Sequence, residues 1–299
     1  NPLVSVLVLT YQHAPFIAQC LDGILAQKTS FDVEIILGED DSTDGTRAIC
    51  QDYAQQYPHQ IRLFLRHEKD KTYLRGRKLG RENLFQSMAA ARGTFLAFCE
   101  GDDYWTDENK LENQVQLMQQ NQAAYCYHDA RIFLQSANTF YQHTFMHWTQ
   151  TLHLQERPLQ LTDVYTHWPI HTATYIMRMP RELPPYMYTI LNTDMGVFAL
   201  AIQQGPGVFY NSVASVYRKH AGGFTQLHQF NVFERLIAIT EIERHFKYPN
   251  PDFLYKFLVE ATDKYTPVKT ISFKHGNYAV SIKHALRLLW YNFRRQCRF

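Results

Sequence analysis

The sequence lacks the cysteine pattern of a disulfide-stabilised protein. Secreted small domains normally carry an even number of cysteines at close, regular spacing. This chain has an odd number and no Cys-x-x-Cys pair: Cys20, Cys50, Cys99, Cys126 and Cys297. Four of them lie among apolar residues and are expected to be small buried side chains. The pattern predicts a reducing compartment, and we expect a cytoplasmic protein.

Long apolar runs and a strong net charge are also missing. No run approaches the ~20 residues of a membrane-spanning helix, and no signal-peptide pattern opens the chain. The net charge is only +2, so the charge balance gives no support for nucleic-acid binding. There is no GxxxxGK[ST] loop and no HExxH motif. An ATPase therefore loses its main support, and the histidine spacing does not indicate zinc.

What the chain does contain is an alternation of strand and helix patterns. With 299 residues and 45% hydrophobic content, it can bury a large core. Strands are predicted at LVSVLVLT, DVEIILGED, IRLFLRH and TFLAFC, which begin at residues 3, 32, 61 and 94. Helical spacing of apolar residues separates them, as in APFIAQCLDGILAQ and RENLFQSMAAAR. This order predicts a parallel sheet covered by helices on both faces.

The pattern changes after about residue 124. AYCYHDARIFL and THWPIHTATYIMR are predicted strands, whereas 135–154 has no clear period and is expected to be a loop or irregular insertion. Residues 192–225 predict a helix, a turn, a strand and a glycine-containing loop. From residue 226 onward the pattern is helical.

Polar segments follow three of the predicted strands: Thr10-Tyr11, Glu39 to Asp41, and Glu100 to Asp103. Ligands of parallel sheets bind beyond the carboxyl ends of the strands, so these segments are expected to converge. Carboxylates packed as closely as those of CEGDDYW repel one another. A solvated turn with a helix cap would tolerate them, and so would a bound divalent cation, which prefers oxygen ligands. Convergence favours the cation.

Four segments carry a family resemblance: VSVLVLTYQHAPFIAQCLDGILAQ, GEDDSTDGT, AARGTFLAFCEGDDYW and VYRKHAGGFT. Together and in this order they resemble family 2 glycosyltransferases, strongly over the first 120 residues and more weakly to about residue 225. The resemblance implies a nucleotide-sugar-dependent, inverting enzyme. It implies a GT-A fold, with a Rossmann-like, mostly parallel central sheet flanked by helices and a helical C-terminal extension.

The resemblance also implies a domain plan and partners. Residues 1–225 would form the catalytic domain, with 1–120 binding the donor and 121–225 the acceptor, and 226–299 would be the extension. The donor would be a nucleoside-diphosphate sugar, with UDP the most common nucleotide and dTDP and GDP left open. The acceptor would be a growing or lipid-linked glycan, as in bacterial polysaccharide or lipopolysaccharide biosynthesis. The cofactor would be Mn²⁺ or Mg²⁺.

Carried over to this sequence, the resemblance assigns donor-binding residues. Thr10 and Tyr11 match the residues near the nucleoside base. Glu39 and Asp40 match the acidic pair from which a carboxylate accepts a hydrogen bond from the base, with Glu39 in place of the more frequent Asp. The segment that usually faces sugar or phosphate contains Arg77, Arg81 and Asn83.

The same carry-over assigns the metal and the catalytic base. Glu100, Asp102 and Asp103 match the DxD-type cluster, with Glu in the first place; Glu100 and Asp102 would contact the donor. Asp102 and Asp103 would hold the cation, together with His220 of YRKH. Asp194 of NTDMGVF matches the region that supplies the general base.

Other interpretations remain open at this stage. Asp129 and Asp163 compete with Asp194 as the base. His171 fits either a substrate contact or a hydrogen-bonded core histidine, and Asp44 is expected to open the following helix. A nucleotidyltransferase is the enzymatic alternative, although TYQHAPF lacks the glycines and lysine of its usual loop. A catalytically silent sugar-nucleotide or glycan-binding protein is the alternative from another class.

The C-terminal segment 280–299 predicts an amphipathic helix with a basic end. Such a helix either lies at an anionic membrane surface or packs on the catalytic domain. The first interpretation places the protein at the inner face of the membrane through peripheral contact. Its apolar residues are Ile282, Leu286, Leu289, Trp290 and Phe293, and its basic residues are Lys283, Arg287, Arg294, Arg295 and Arg298.

Overall fold

The computed structural model describes residues 1–74, 77–223 and 232–246. The first half contains β1 (Val4–Thr10), α1 (Ile17–Leu25), β2 (Val33–Glu39), α2 (Thr46–Gln56), β3 (Ile61–Leu65), β4 (Thr72–Leu74), β5 (Arg77–Leu79), α3 (Arg81–Ala90), β6 (Phe95–Phe98), β7 (Tyr104–Trp105) and α4 (Lys110–Gln120). The second contains β8 (Tyr125–Leu134), β9 (Thr139–Thr144), α5 (Phe145–Trp148), α6 (Leu161–His167), β10 (Ile176–Arg178), α7 (Thr193–Gln203), β11 (Gly207–Lys219) and α8 (Val232–Phe246).

Within the described residues, nine strands form one mixed sheet in the order β3-β2-β1-β6-β10-β8-β11-β7, with β9 paired to β8. The strands β3, β2, β1 and β6 are parallel, as the alternation of patterns predicts. Beyond β6 the sheet changes direction: β10 is antiparallel to both β6 and β8, while β11 is parallel to β8. A parallel half is therefore joined to a mixed half, and β4 and β5 form a separate hairpin.

The core of the parallel half explains why its strands read as continuous apolar runs. Val4, Val6 and Val8 of β1 are completely buried, and Leu7 between them is buried as well, because helices cover both faces of the strand. The chain approaches β1 closely at Gly93, where a Cβ atom would lie 2.5 Å from the backbone nitrogen of Ser5. A glycine at this position therefore lets the chain pass beside β1.

The expectation of a loop at 135–154 was wrong. This stretch contains β9, α5 and a short 3-10 turn at Leu152–Glu156. The strand β9 pairs antiparallel with β8, yet its first four residues are exposed. A strand with so little buried surface has no apolar alternation, so the sequence pattern could not reveal it. THWPIHTATYIMR is likewise only partly a strand, with Ile176–Arg178 extended after the end of α6 and a 3-10 turn.

The described residues fall into two compact units. The first contains Asn1–Leu183 and 193–223; the second contains Pro184–Asn192 and α8. Inside the second unit the ring of Tyr186 packs against His245 and Phe246, with centroids 5.2 and 5.7 Å apart. The domain boundary predicted near residue 225 stays a prediction. No helix among the described residues is long and apolar enough to cross a membrane, and 280–299 lies outside them.

Candidate active site

The site lies where the three central parallel strands end. Thr10 at the end of β1 is in register with Glu39 at the end of β2, and β6 runs parallel to β1 on its other side. The backbone N–H of Asp40 donates to the carbonyl of Thr10 at 3.0 Å, and that of Gly101 donates to the carbonyl of Leu9 at 2.9 Å. The three segments singled out in the sequence therefore lie side by side.

At the end of β2 the carboxylates are neutralised by cations of the protein. Glu39 is completely buried, accepts the backbone N–H of Ser42 at 2.6 Å and forms an ion pair with Arg47. Asp40 lies 3.6 Å from Nζ of Lys71. The same ammonium lies 4.0 Å from the centre of the Tyr11 ring, which is 44% exposed. An exposed aromatic face beside a carboxylate is suited to stacking and hydrogen bonding with a base.

Asn83 supports this strand end through hydrogen bonds within the protein. Its side-chain amide donates to the carbonyl of Gly38 at 2.8 Å, and its oxygen accepts from Nε of Arg66 at 3.3 Å. A Cβ at Gly38 would lie 2.1 Å from that oxygen, so only glycine fits there. Arg81 is buried at the first residue of α3, and Arg77 begins β5.

The acidic loop after β6 carries Asp102, whose partners are imidazoles. His220 Nε2 lies 3.0 Å from Asp102 Oδ2, and His13 Nε2 lies 3.7 Å from the same oxygen. Burial alone would raise the pKa of Asp102, but the hydrogen bond from His220 and the charge of His13 lower it below its usual value. The ionised form of Asp102 is therefore favoured, beside two imidazole nitrogens.

Asp103 is adjacent in sequence but differently placed. It is 2% exposed, its Oδ1 accepts the backbone N–H of Arg218 at 2.8 Å, and its Oδ2 lies 3.7 Å from Nε2 of His171. Burial, together with the charges of Asp102 and Glu100, raises the pKa of Asp103 well above its usual value. One of its oxygens ties the loop to β11, and the other faces His171.

Glu100 and Asp194 approach each other from opposite parts of the chain. Asp194 lies in the first turn of α7, and burial raises its pKa to about 6. Burial and the charges of Asp194 and Asp102 raise the pKa of Glu100 well above its usual value. Burial and the charges of Asp194 and Glu100 also raise the pKa of Tyr175. A buried carboxyl group with a pKa near neutrality suits proton transfer.

The competing carboxylates are engaged in structural interactions. Asp163 forms a two-point ion pair with Arg157 at 2.7 Å and accepts the N–H of Gln160. Asp129 accepts the backbone N–H groups of Ala130 and Met146 at 2.7 and 2.9 Å. Both carboxylates therefore serve as hydrogen-bond acceptors within the fold, which favours Asp194 over them as the candidate base.

Asp44 and His171 also have local partners. Asp44 accepts from the backbone of Ala14 and from both the N–H and hydroxyl of Thr46, the first residue of α2. His171 Nδ1 accepts the N–H of Ala173 at 3.3 Å, and burial lowers its pKa to about 4.

Sequence reasoning missed the groups that balance these charges. His13 lies in the loop after β1, in the segment TYQHAPF, which the sequence analysis used only to argue against a nucleotidyltransferase. A histidine three residues after the end of this strand could have indicated a site residue. Arg47 and Lys71 have no such signal, because lysine and arginine on a helix or loop are normally solvated. The acidic loop itself fits a metal: two overlapping sets, each with ligand atoms within 4.8 Å of one another, are His13-Asp102-His220 and Glu100-Asp102-Asp103.

Comparison with known proteins gives the class. A model of Glycosyl transferase family 2 matches residues 5–182, more than half of the chain, and the chain belongs to that family. Rv1520 of Mycobacterium tuberculosis (strain ATCC 25618 / H37Rv) is 28% identical over 221 residues, 74% of this chain and 60% of that protein. EpsJ of Bacillus subtilis (strain 168), named a glycosyltransferase, is 38% identical over 103 residues, 34% of this chain and 27% of its own length. The chain thus spans less than two thirds of these relatives.

Solved structures confirm the predicted GT-A fold. TarS 1-349 of S. aureus in complex with UDP-GlcNAc is similar with a TM-score of 0.58 at 15% identity, covering 87% of this chain and 73% of that one. The mannosyltransferase PcManGT of Pyrobaculum calidifontis, in complex with GDP-Man and Mn²⁺, has a TM-score of 0.51 at 15% identity, covering 100% and 81%. At this identity the likeness concerns the fold alone.

Proposed function

We propose that the protein transfers a sugar from a nucleoside diphosphate, with UDP the favoured nucleotide, to a hydroxyl group of a growing glycan with inversion at the anomeric carbon. One observation carries this proposal: Asp194, with a pKa raised to about 6, lies beside Glu100 and the acidic loop that holds Asp102. This arrangement would place a proton acceptor next to the leaving-group site.

The nucleotide would lie over the ends of β1 and β2. Tyr11 would stack on the base, since its face is exposed. Asp40 is the better acceptor for the base, because both oxygens of Glu39 are already engaged by Ser42 and Arg47. Glu39 would then hold the loop that shapes the base site.

Asp102 and His220 would hold a divalent cation, and Asp103 would add its second oxygen. When bound, such a cation supplies charge neutralisation to the diphosphate leaving group. The residues fit this role, since Asp102 is kept ionised and its oxygen lies 3.0 Å from an imidazole nitrogen. Two carboxylates or fewer, with phosphate and water, are the usual set for Mg²⁺, whereas imidazole suits softer cations.

Asp194 would accept the proton of the acceptor hydroxyl. The acceptor oxygen forms the new bond to the anomeric carbon, the bond from that carbon to the diphosphate oxygen breaks, and the electron pair leaves with the nucleoside diphosphate. The proton passes to Asp194 and then to solvent. Attack from the face opposite the leaving group inverts the configuration and requires no covalent nucleophile.

The test is the variant Asp194→Asn, assayed for donor binding and for transfer. We expect unchanged donor affinity and a loss of transfer of about 10²–10⁴-fold, because the lost interaction is made chiefly in the transition state. Asp163→Asn is the matched control, since that carboxylate is engaged by Arg157. Transfer by Asp194→Asn at the wild-type rate would assign the base elsewhere. Donor binding without transfer by the wild-type chain to any glycan acceptor would favour a silent binding protein.

A glycan acceptor carried on lipid at the cytoplasmic face remains part of the proposal. Its support is the amphipathic pattern of 280–299, which lies outside the described residues. Co-sedimentation of the full chain and of a truncation before Val280 with anionic vesicles at low salt tests it. Binding by the full chain alone is expected. Equal binding by both forms, or binding by neither, would mean that 280–299 is not a membrane anchor and would favour its packing on the catalytic domain.

A further inference from the structure

His13 is the least explained residue around the acidic loop. Its Nε2 points at Asp102 Oδ2 from 3.7 Å, which is beyond the ~3.2 Å of an ordinary hydrogen bond. Its side chain is 14% exposed, and its ring stands edge-on to that of His220 with centroids 6.0 Å apart. Two imidazoles from distant parts of the sequence thus approach one carboxylate. His13 lies in the loop after β1, and His220 directly follows β11.

The spacing of these three groups matches that of ligands around one ion. Two atoms bound to the same cation at ~2.1 Å can be at most ~4.2 Å apart. The distances to Asp102 Oδ2, 3.7 Å from His13 and 3.0 Å from His220, are both within this limit. All ligand atoms of the set lie within 4.8 Å, so a shared ion requires only a small inward shift of the two imidazoles. A distance too long for a hydrogen bond is therefore the right length for two ligands of a shared ion.

A second observation concerns the other ring nitrogen. Among the described residues, Nδ1 of His13 and Oγ1 of Thr10 are both buried and have no hydrogen-bond partner. Both flank Gly101: a Cβ at that glycine would lie 3.0 Å from the nitrogen and 2.5 Å from the hydroxyl oxygen. A metal-binding imidazole normally donates its second N–H to a nearby oxygen. Oγ1 of Thr10 is the unpartnered oxygen beside the same glycine, and it would accept that N–H once His13 binds a cation.

We propose that His13 is a third protein ligand of the divalent cation, with Asp102 and His220, and that this two-imidazole set selects Mn²⁺ or a similar transition cation over Mg²⁺. The inference rests on the proposed metal-assisted function and deepens it. Imidazole nitrogen suits first-row transition cations, whereas Mg²⁺ demands oxygen and retains its water.

The proposed ligand set would also connect the loop after β1 with the mixed half of the sheet. His13 is only three residues from Thr10 and two from Tyr11, in the loop predicted to hold the base. His220 follows β11, in the mixed half of the sheet. A cation bound to both would fasten the nucleotide loop to the acceptor half.

The decisive experiment measures Mn²⁺ binding directly, by electron paramagnetic resonance on the full chain, with Mn²⁺ alone and with Mn²⁺ and UDP. Pulsed spectra of the bound ion report nitrogen ligands, and we expect two imidazoles in the wild type and one in His13→Gln. His13→Gln should weaken Mn²⁺ binding about tenfold or more. The affinity for Mg²⁺, measured by its competition with Mn²⁺, should change little. His220→Gln should do the same, and His59→Gln, at an exposed position, should do neither.

Each alternative result is informative. Two-imidazole spectra without any sugar transfer would support the inference and remove the proposed function. A single imidazole in the wild type, or unchanged Mn²⁺ affinity in His13→Gln, would overturn the inference and leave metal-assisted transfer in place. Absence of Mn²⁺ binding under both conditions would overturn both. The wild-type spectrum needs no variant, so a folding defect in His13→Gln, checked by thermal denaturation, would not block the test.

Discussion

The carboxylates at the end of β2 and those at the end of β6 differ in how their charge is balanced. Glu39 pairs with the guanidinium of Arg47, and Asp40 lies beside the ammonium of Lys71. In the described part of the chain, the side-chain partners within ion-pair distance of Asp102 and Asp103 are histidines. Glu100 and Asp194 form no ion pair within these residues.

This difference supports the proposed cation site at the β6 end rather than at the β2 end. Buried carboxylates need a compensating charge, and the β2 end receives it from the protein itself. The β6 end keeps carboxylates with raised pKa values, those of Glu100 and Asp103, next to one with a lowered pKa, that of Asp102. Such a group is stabilised when a ligand brings positive charge to it.

The largest effect is expected from removing the built-in cation at the β2 end. Arg47→Met leaves the completely buried Glu39 without its ion pair, so we expect a loss of about 3 kcal/mol in the free energy of unfolding. Urea denaturation measures it. Arg92→Met is the matched control, expected to cost about 1 kcal/mol or less, because Arg92 is exposed and Arg62 still pairs with Glu34. Equal losses in both variants would contradict the comparison.

A built-in cation can also be added at the β6 end. His220→Lys places an ammonium beside Asp102, as Lys71 stands beside Asp40, and it should weaken Mn²⁺ binding about 100-fold by removing a ligand and adding positive charge. Lys71→Met should leave the affinity for Mn²⁺ alone unchanged. Isothermal titration with Mn²⁺ measures both. Normal Mn²⁺ affinity in His220→Lys would mean that the cation binds elsewhere.

Asp194 should make stability and activity depend on pH in opposite directions. Its carboxyl group has a pKa of about 6 when folded and ~3.9 when unfolded, so the stabilising protonated form is lost as the pH rises through about 6. Asp194→Asn should therefore be more stable than the wild type above pH 6, by up to about 3 kcal/mol, and equal to it below pH 4.

Transfer requires the ionised form of Asp194, so the rate should fall as the pH drops below about 6. Chemical denaturation at pH 4 and pH 8, beside a pH–rate profile, checks both effects. A rate that is flat from pH 8 to pH 5 would exclude Asp194 as the base.

The smallest expected effect separates the two neighbouring aspartates. Asp102→Asn should weaken Mn²⁺ binding about tenfold or more, because it removes the ionised oxygen between the two histidines. Asp103→Asn should weaken it less, because its amide oxygen still accepts from Arg218 and keeps the loop on β11. Losses of the same size would make Asp103 an equal metal ligand. Asp102 and Asp103 would then both hold the cation, as the family resemblance implies.

Much of the parallel half was predictable from the sequence. The strands β1, β2, β3 and β6 and the helices between them follow from apolar runs and helical spacing, and their order implied parallel pairing. The mixed half was not, since β9 is largely exposed and β10 has only three residues. Short or exposed strands are held by pairing with β8 and β6 rather than by their own apolar pattern, so periodicity does not report them.

The sequence by itself determined where the acids lie, because an apolar run must end before its polar residues, and parallel strands end at one edge. Only the tertiary structure decided which acids keep their charge. His13 and His220 meet at Asp102 although they are far apart in the chain, and Arg47 and Lys71 reach Glu39 and Asp40 from a helix and a loop. A carboxylate's pKa and ligands depend on burial and on neighbours within a few ångströms, and those neighbours are set by packing between distant segments.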